Sequence, residues 1–134
     1  MNRYFSTLVI ATISLTLASC DSSGPDNAGG NTFSVRYEAT GTCDGIIGAN
    51  MVSVGYTVDG GGSEGKTVAT PWSETFSIDS STVVGGVGLT AICIGSGAVA
   101  NTVTVEIFVD GVSKATATET STGTITINAN AALN

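Results

Sequence analysis

The chain has 134 residues, with eleven carboxylates against four cations and no histidine, for a formal net charge of −7. Binding nucleic acid or an anionic lipid surface by charge needs clustered lysine and arginine, so both classes are excluded as electrostatic partners. The missing histidine removes the commonest general base and the commonest metal ligand.

In chain order, the first segment reads as a targeting signal. Asn2 and Arg3 open it, a mostly apolar run from Leu8 to Leu17 follows, and Leu17-Ala18-Ser19-Cys20 ends it. The run is shorter than the ~20 apolar residues a membrane-spanning helix needs, and it fits the apolar region of a cleaved signal. The closing four residues resemble the lipobox of bacterial lipoproteins. That resemblance implies a signal peptide over residues 1–19 and a mature chain beginning at Cys20, with diacylglycerol on its sulfur. Each buried methylene contributes ~0.8 kcal/mol, so two or three acyl chains would anchor the protein to a membrane stably. Asp21 resembles the inner-membrane retention signal of enteric bacteria. Acidic residues after the lipidated cysteine also resemble a surface-export signal of other phyla, so the membrane and leaflet stay open. Residues 20–31 are polar and rich in Gly and Ser, and are expected to form a flexible tether.

From residue 32 to 134 the period is two, the signature of strands. Phe33, Val35, Tyr37 and Ala39 alternate with polar neighbours, and Val52, Val54, Tyr56 and Val58 repeat the pattern. Between these second-strand residues and the third strand, Thr75–Ile78, the stretch Asp59-Gly60-Gly61-Gly62-Ser63 reads as a flexible loop, joining a second strand pair. Val87, Leu89, Ala91 and Cys93 give a fourth strand; Val103, Val105, Ile107 and Val109 a fifth; residues 112–119 a weaker, Thr-rich sixth; and Ile125 and Ile127 a seventh. Asp110-Gly111 between the fifth and sixth is a strong hairpin signal, because a type I′ turn needs positive φ at both central residues. About seven short strands predict an all-β fold, an immunoglobulin-like antiparallel β-sandwich, with a jelly roll or small β-barrel as the alternative.

Cys20 accounts for one of the three cysteines, leaving Cys43 and Cys93 in the domain. In an exported domain two cysteines favour one disulfide, and both fall on the apolar parity of their strands; the alternative is two buried free thiols. A bond between them would close a loop of about fifty residues and contribute ~4 kcal/mol in the chain-entropy model.

Three segments then resemble, in order and spacing, the periplasmic domain of the small mycobacterial membrane proteins, the MmpS transport-accessory family. They are Tyr37-Glu38-Ala39-Thr40-Gly41, Pro71-Trp72-Ser73-Glu74-Thr75-Phe76 and Val105-Glu106-Ile107-Phe108-Val109-Asp110-Gly111. The resemblance implies a sandwich and an accessory role beside an envelope exporter. It departs from the family in its lipobox, where the family has an uncleaved N-terminal helix, and in lacking cysteines around the Val-Asp-Gly hairpin.

Chemistry is sparse. Ser113 and Lys114 are adjacent, and adjacent strand residues face opposite ways. Neither Cys43 nor Cys93 has a basic neighbour in sequence to lower its pKa. Asp44, Asp59 and Glu64 fit no calcium loop, and the glycine-rich stretch lacks the lysine ending of a phosphate loop. Glu74, on the parity of Trp72, Phe76 and Ile78, is expected to be structural. No enzyme, metal or cofactor is expected. Trp72 is expected as the large plug between two sheets. Phe108 stands opposite the apolar row of its strand. These two are the candidate interaction residues for another envelope protein or, alternatively, for a glycan or small ligand.

Overall fold

The computed structural model describes residues 30–134; the signal segment, Cys20 and most of the tether lie outside the described residues. Ten strands follow one another: β1 Thr32–Thr42, β2 Asp44–Gly45, β3 Gly48–Ala49, β4 Met51–Thr57, β5 Ser63–Ala69, β6 Trp72–Asp79, β7 Val87–Ile94, β8 Asn101–Val109, β9 Val112–Ser121 and β10 Thr124–Ala131. Eight of them form two four-stranded sheets, ordered β6-β1-β8-β9 and β10-β7-β4-β5, while β2 and β3 make a separate short ribbon. Every pairing is antiparallel. This is the antiparallel sandwich expected from the sequence, immunoglobulin-like in its two facing sheets, and the described strands do not close into a barrel. The long-range pairing nests β4–β7 inside β1–β8, a Greek-key path.

Alternation decides which side of each strand is core. Val35, Tyr37 and Ala39 of β1, Val103, Val105 and Ile107 of β8, Leu89, Ala91 and Cys93 of β7, and Ile125 of β10 are all essentially inaccessible to solvent. The intervening Thr, Ser and charged residues face outward. At ~25 cal/mol per Å² of apolar surface, this shared row is the main favourable term for a domain that carries few large side chains. Tyr37 is the largest fully buried side chain. Its hydroxyl donates to the Thr57 carbonyl at 2.7 Å, and burial pushes the phenol well above its ordinary range.

The Asp110-Gly111 hairpin forms as its sequence demands. Val109 pairs with Val112, and the two turn residues have φ of +50° and +80°. Asp110 does more than turn. Its carboxylate accepts from the Ser34 N–H at 2.9 Å and its own N–H donates to the Ser34 carbonyl, which fastens the hairpin to β1.

The structure has eight long strands where the pattern suggested about seven. The missed one is β5, which immediately follows the tight turn at residues 59–61. Its glycine, two charges and mostly exposed side chains hide the alternation, because an edge strand has little to bury. Pairing with β4 restores the parity: Glu64, Lys66 and Val68 stand opposite Tyr56, Val54 and Val52, all core residues. The turn itself does join a strand pair, as expected.

The three segments that carry the family resemblance lie on β6, β1 and β8, which are neighbours in one sheet. Ala39 pairs with Trp72 on one side and with Val105 on the other.

Candidate functional site

Four places bear on function. The first is the disulfide. Cys43 follows β1 of one sheet and Cys93 sits in β7 of the other; their sulfurs are bonded, with Cα atoms 5.8 Å apart. Both residues are completely buried. The bond closes a fifty-residue loop and spans the two layers at one end of the sandwich. It is therefore a structural staple, and it leaves no free thiol among the described residues.

The second place is the side of the sandwich where edge strands β5 and β6 face each other. Trp72 is only partly buried there, as the end of an aromatic row rather than a central plug. Its ring lies 5.6 Å from that of Tyr56, which in turn packs on Phe76 at 5.1 Å and on Tyr37 at 5.5 Å. The Lys66 ammonium sits 5.3 Å from the Trp72 ring and 5.5 Å from the Tyr56 ring. It is also paired with the Glu74 carboxylate. Glu74 holds the Lys66 pKa above its ordinary value. The Tyr56 hydroxyl reaches the Glu64 carboxylate at 3.4 Å. Glu74 thus has the structural role expected of it: it pairs the one cation that closes this seam. A cation held between ring faces and a carboxylate is satisfied from within the chain.

Phe108 is the third. It lies on the outer face of the first sheet, as its parity predicts, but the Arg36 guanidinium covers its ring at 4.0 Å from the centroid. Arg36 is also 3.3 Å from Glu38. The ring face is therefore occupied, and Trp72 and Phe108 occupy different surfaces: the seam between the sheets and the outer face of one sheet. The shallow grooves beside these surfaces are open. One of about 460 Å³ is lined by Thr32, Ser34, Thr75, Phe76, Ser77 and Asp110.

The fourth place is absent from the sequence reading. The β2–β3 ribbon turns through Ile46 and Ile47, which are 75% and 44% exposed. β1 starts at Thr32 and runs about 36 Å at ~3.3 Å per residue before the chain enters this ribbon, so the ribbon sits at the end of the sandwich remote from Gly30. Val99, in the loop between β7 and β8 at the same end, is 52% exposed. The ribbon is held rather than loose. Ile46 N–H donates to the Ile94 carbonyl, Ser96 N–H to the Asp44 carbonyl, and Asp44 N–H to the Asn101 side chain at 2.6 Å. The available signal was Gly45-Ile46-Ile47-Gly48, two adjacent isoleucines between glycines. Neighbours in so short a ribbon cannot both turn to one core.

The carboxylates of Glu64 and Asp59 are engaged within the chain, that of Glu64 by the Tyr56 hydroxyl. Asp59 accepts from the Asp79 N–H at 2.9 Å and from the Thr82 hydroxyl at 3.0 Å, bonds that lower its pKa. Among the described residues no group of three His, Cys, Asp or Glu side chains could hold a metal ion, and no helix is long and apolar enough to cross a membrane.

The chain matches no known family in a scan of family profiles, and a search of curated proteins finds no significant match.

Proposed function

We propose that this chain is a non-catalytic, lipid-anchored module of the bacterial cell envelope that docks another envelope protein, as an accessory to a transporter. The observation that carries this reading is the exposed Ile46-Ile47 ribbon at the end of the domain remote from the N-terminal tether. Ile46 and Ile47 are adjacent and Val99 is exposed at the same end, so this tip offers grouped apolar side chains that a protein contact would cover, whereas Val84 and Val112 are exposed elsewhere on the domain. An anchor at one end and an apolar tip at the other suit a spacer that reaches a partner above the membrane. The lipobox resemblance supports the anchor, and the three segments resembling the transport-accessory family support the choice of partner. Trp72 and Phe108 contribute to the fold in this reading, since Lys66 and Arg36 cover their rings.

The test is site-specific photo-crosslinking in the native host. A photoreactive residue replaces Ile46 in one strain and Ser77, on the opposite end and outer face, in another. One major transporter-sized adduct at position 46, absent at 77, is expected. Substituting Ile46 and Ile47 together by Ser should abolish the function of that transporter without lowering the level of folded protein. Equal labelling at both positions, or none at 46, overturns the reading.

A further inference from the structure

A sandwich of two open sheets has four edge strands, and each edge presents unpaired N–H and C=O groups that invite another strand. Here the edges are β5 and β6 on one side and β9 and β10 on the other. Three are guarded. β5 turns Glu64 and Lys66 toward the interior, and β6 turns Glu74 inward to meet Lys66. Inward-pointing charges of this kind oppose strand addition, because an added strand would bury them. β9 is broken by a bulge: Ile107 pairs with Ala115 and Phe108 with Ser113, so Lys114 is an extra residue without a partner. It also carries Glu119 opposite the core residue Val103.

β10 has none of these devices. Thr124-Ile125-Thr126-Ile127-Asn128-Ala129-Asn130-Ala131 contains no charge, glycine or proline. It keeps an unbroken register with β7 from Thr124 to Ala131. Its core row is buried and its outer row exposed in strict alternation. Among the described residues nothing pairs with its outer edge.

The strand is also its own complement. An antiparallel copy centred on Ile127 sets Thr126 against Asn128, Thr124 against Asn130 and Ile125 against Ala129. Each pair shares a face, as a sheet requires. On the outer face these are Thr–Asn pairs, a pairing the sheet already contains in the 2.6 Å bond from the Thr90 hydroxyl to the Asn128 side chain. On the inner face Ile125 meets Ala129, and Ile127 meets its own copy on the axis. In a chain of net charge −7, the edge that meets the copy carries no charge of its own.

We infer that β10 is a homotypic pairing edge. A second copy of this chain adds its β10 antiparallel to the first, and two four-stranded sheets become one eight-stranded sheet about a two-fold axis. This side surface is separate from the Ile46-Ile47 tip, and the inference does not rest on the tip's role.

The experiment is sedimentation equilibrium of the purified full-length chain in mild detergent, for the wild type, Asn128→Lys and Ser77→Lys. A wild-type dimer is expected, with its dissociation constant raised at least tenfold by the lysine on β10 and unchanged by the same charge on β6. The double substitution T126C/N128C should form intermolecular disulfides in a non-reducing gel, which reports the register directly and does not depend on the behaviour of Asn128→Lys. A wild-type monomer at every concentration into the millimolar range overturns the inference. So does a dimer that Asn128→Lys leaves intact, or a T126C/N128C protein that forms no crosslink.

Discussion

The two ends of the sandwich are fastened by different chemistry. At the end near Gly30, carboxylates make the ties: Asp110 binds Ser34 of β1, and Asp59 reaches across from the second sheet to the Asp79 N–H and the Thr82 hydroxyl. At the remote end the ties are a covalent bond and neutral side chains. Cys43–Cys93 joins the layers, the Thr70 hydroxyl donates to the Gly41 carbonyl at 2.7 Å, and Asn101 holds Asp44. Of these ties, the Asp59 carboxylate responds to protons and the disulfide to reductant. It is the second set that holds the exposed isoleucine tip in place.

The largest break in this comparison comes from the disulfide. Replacing both Cys43 and Cys93 by Ala should lower stability by ~4 kcal/mol in the chain-entropy model, read as a shift of the denaturant midpoint. Amide exchange should quicken first at residues 44–49, while the hairpins at Asp59 and Asp110 stay protected. Equal loosening at both ends would sink the idea of separate fastenings.

At the other end, Gly111 has φ of +80° and free space where a side chain would point. Gly111→Ala therefore isolates the backbone penalty, expected at ~1–2 kcal/mol. Gly111→Asn, which tolerates this conformation, should cost less. If the two are equal, the turn has relaxed to another type.

The smallest effect is the acid limb. The hydrogen bonds to Asp59 hold its carboxyl below the ordinary 3.8, so the native state takes up its proton less readily than the unfolded chain. Its contribution is in place above about pH 4 and is lost as pH falls below that value. Asp59→Asn should flatten this part of the stability profile and leave the response to reductant unchanged.

Much of this architecture was legible in the residues. Strict alternation marked β1, β4, β7 and β8 because each is buried on one face, and Asp110-Gly111 marked its turn because few other pairs accept its geometry. The pairing of Cys43 with Cys93 followed from parity and count. β5 was not legible, since an edge strand guarded by Glu64 and Lys66 suppresses the apolar signal that reveals strands. Lys66 itself was unreadable as a partner for Glu74 until β5 and β6 were placed side by side. Phe108 was placed on the correct face, but the Arg36 that covers it comes from a neighbouring strand far away in sequence. The ribbon tip was missed because two adjacent isoleucines fit neither period.

The course of β1 also bears on mechanics. It begins at the end near Gly30, finishes at the remote end, and is hydrogen-bonded along eight residues to β6 and along eight to β8. A pull between Thr32 and the ribbon would run parallel to that strand. It would load both ladders in shear, all their bonds sharing the force, instead of peeling them open one at a time. Immediately beyond the ladder, Cys43 passes the load covalently into the second sheet. The domain is thus arranged as a stiff link under tension along its own axis.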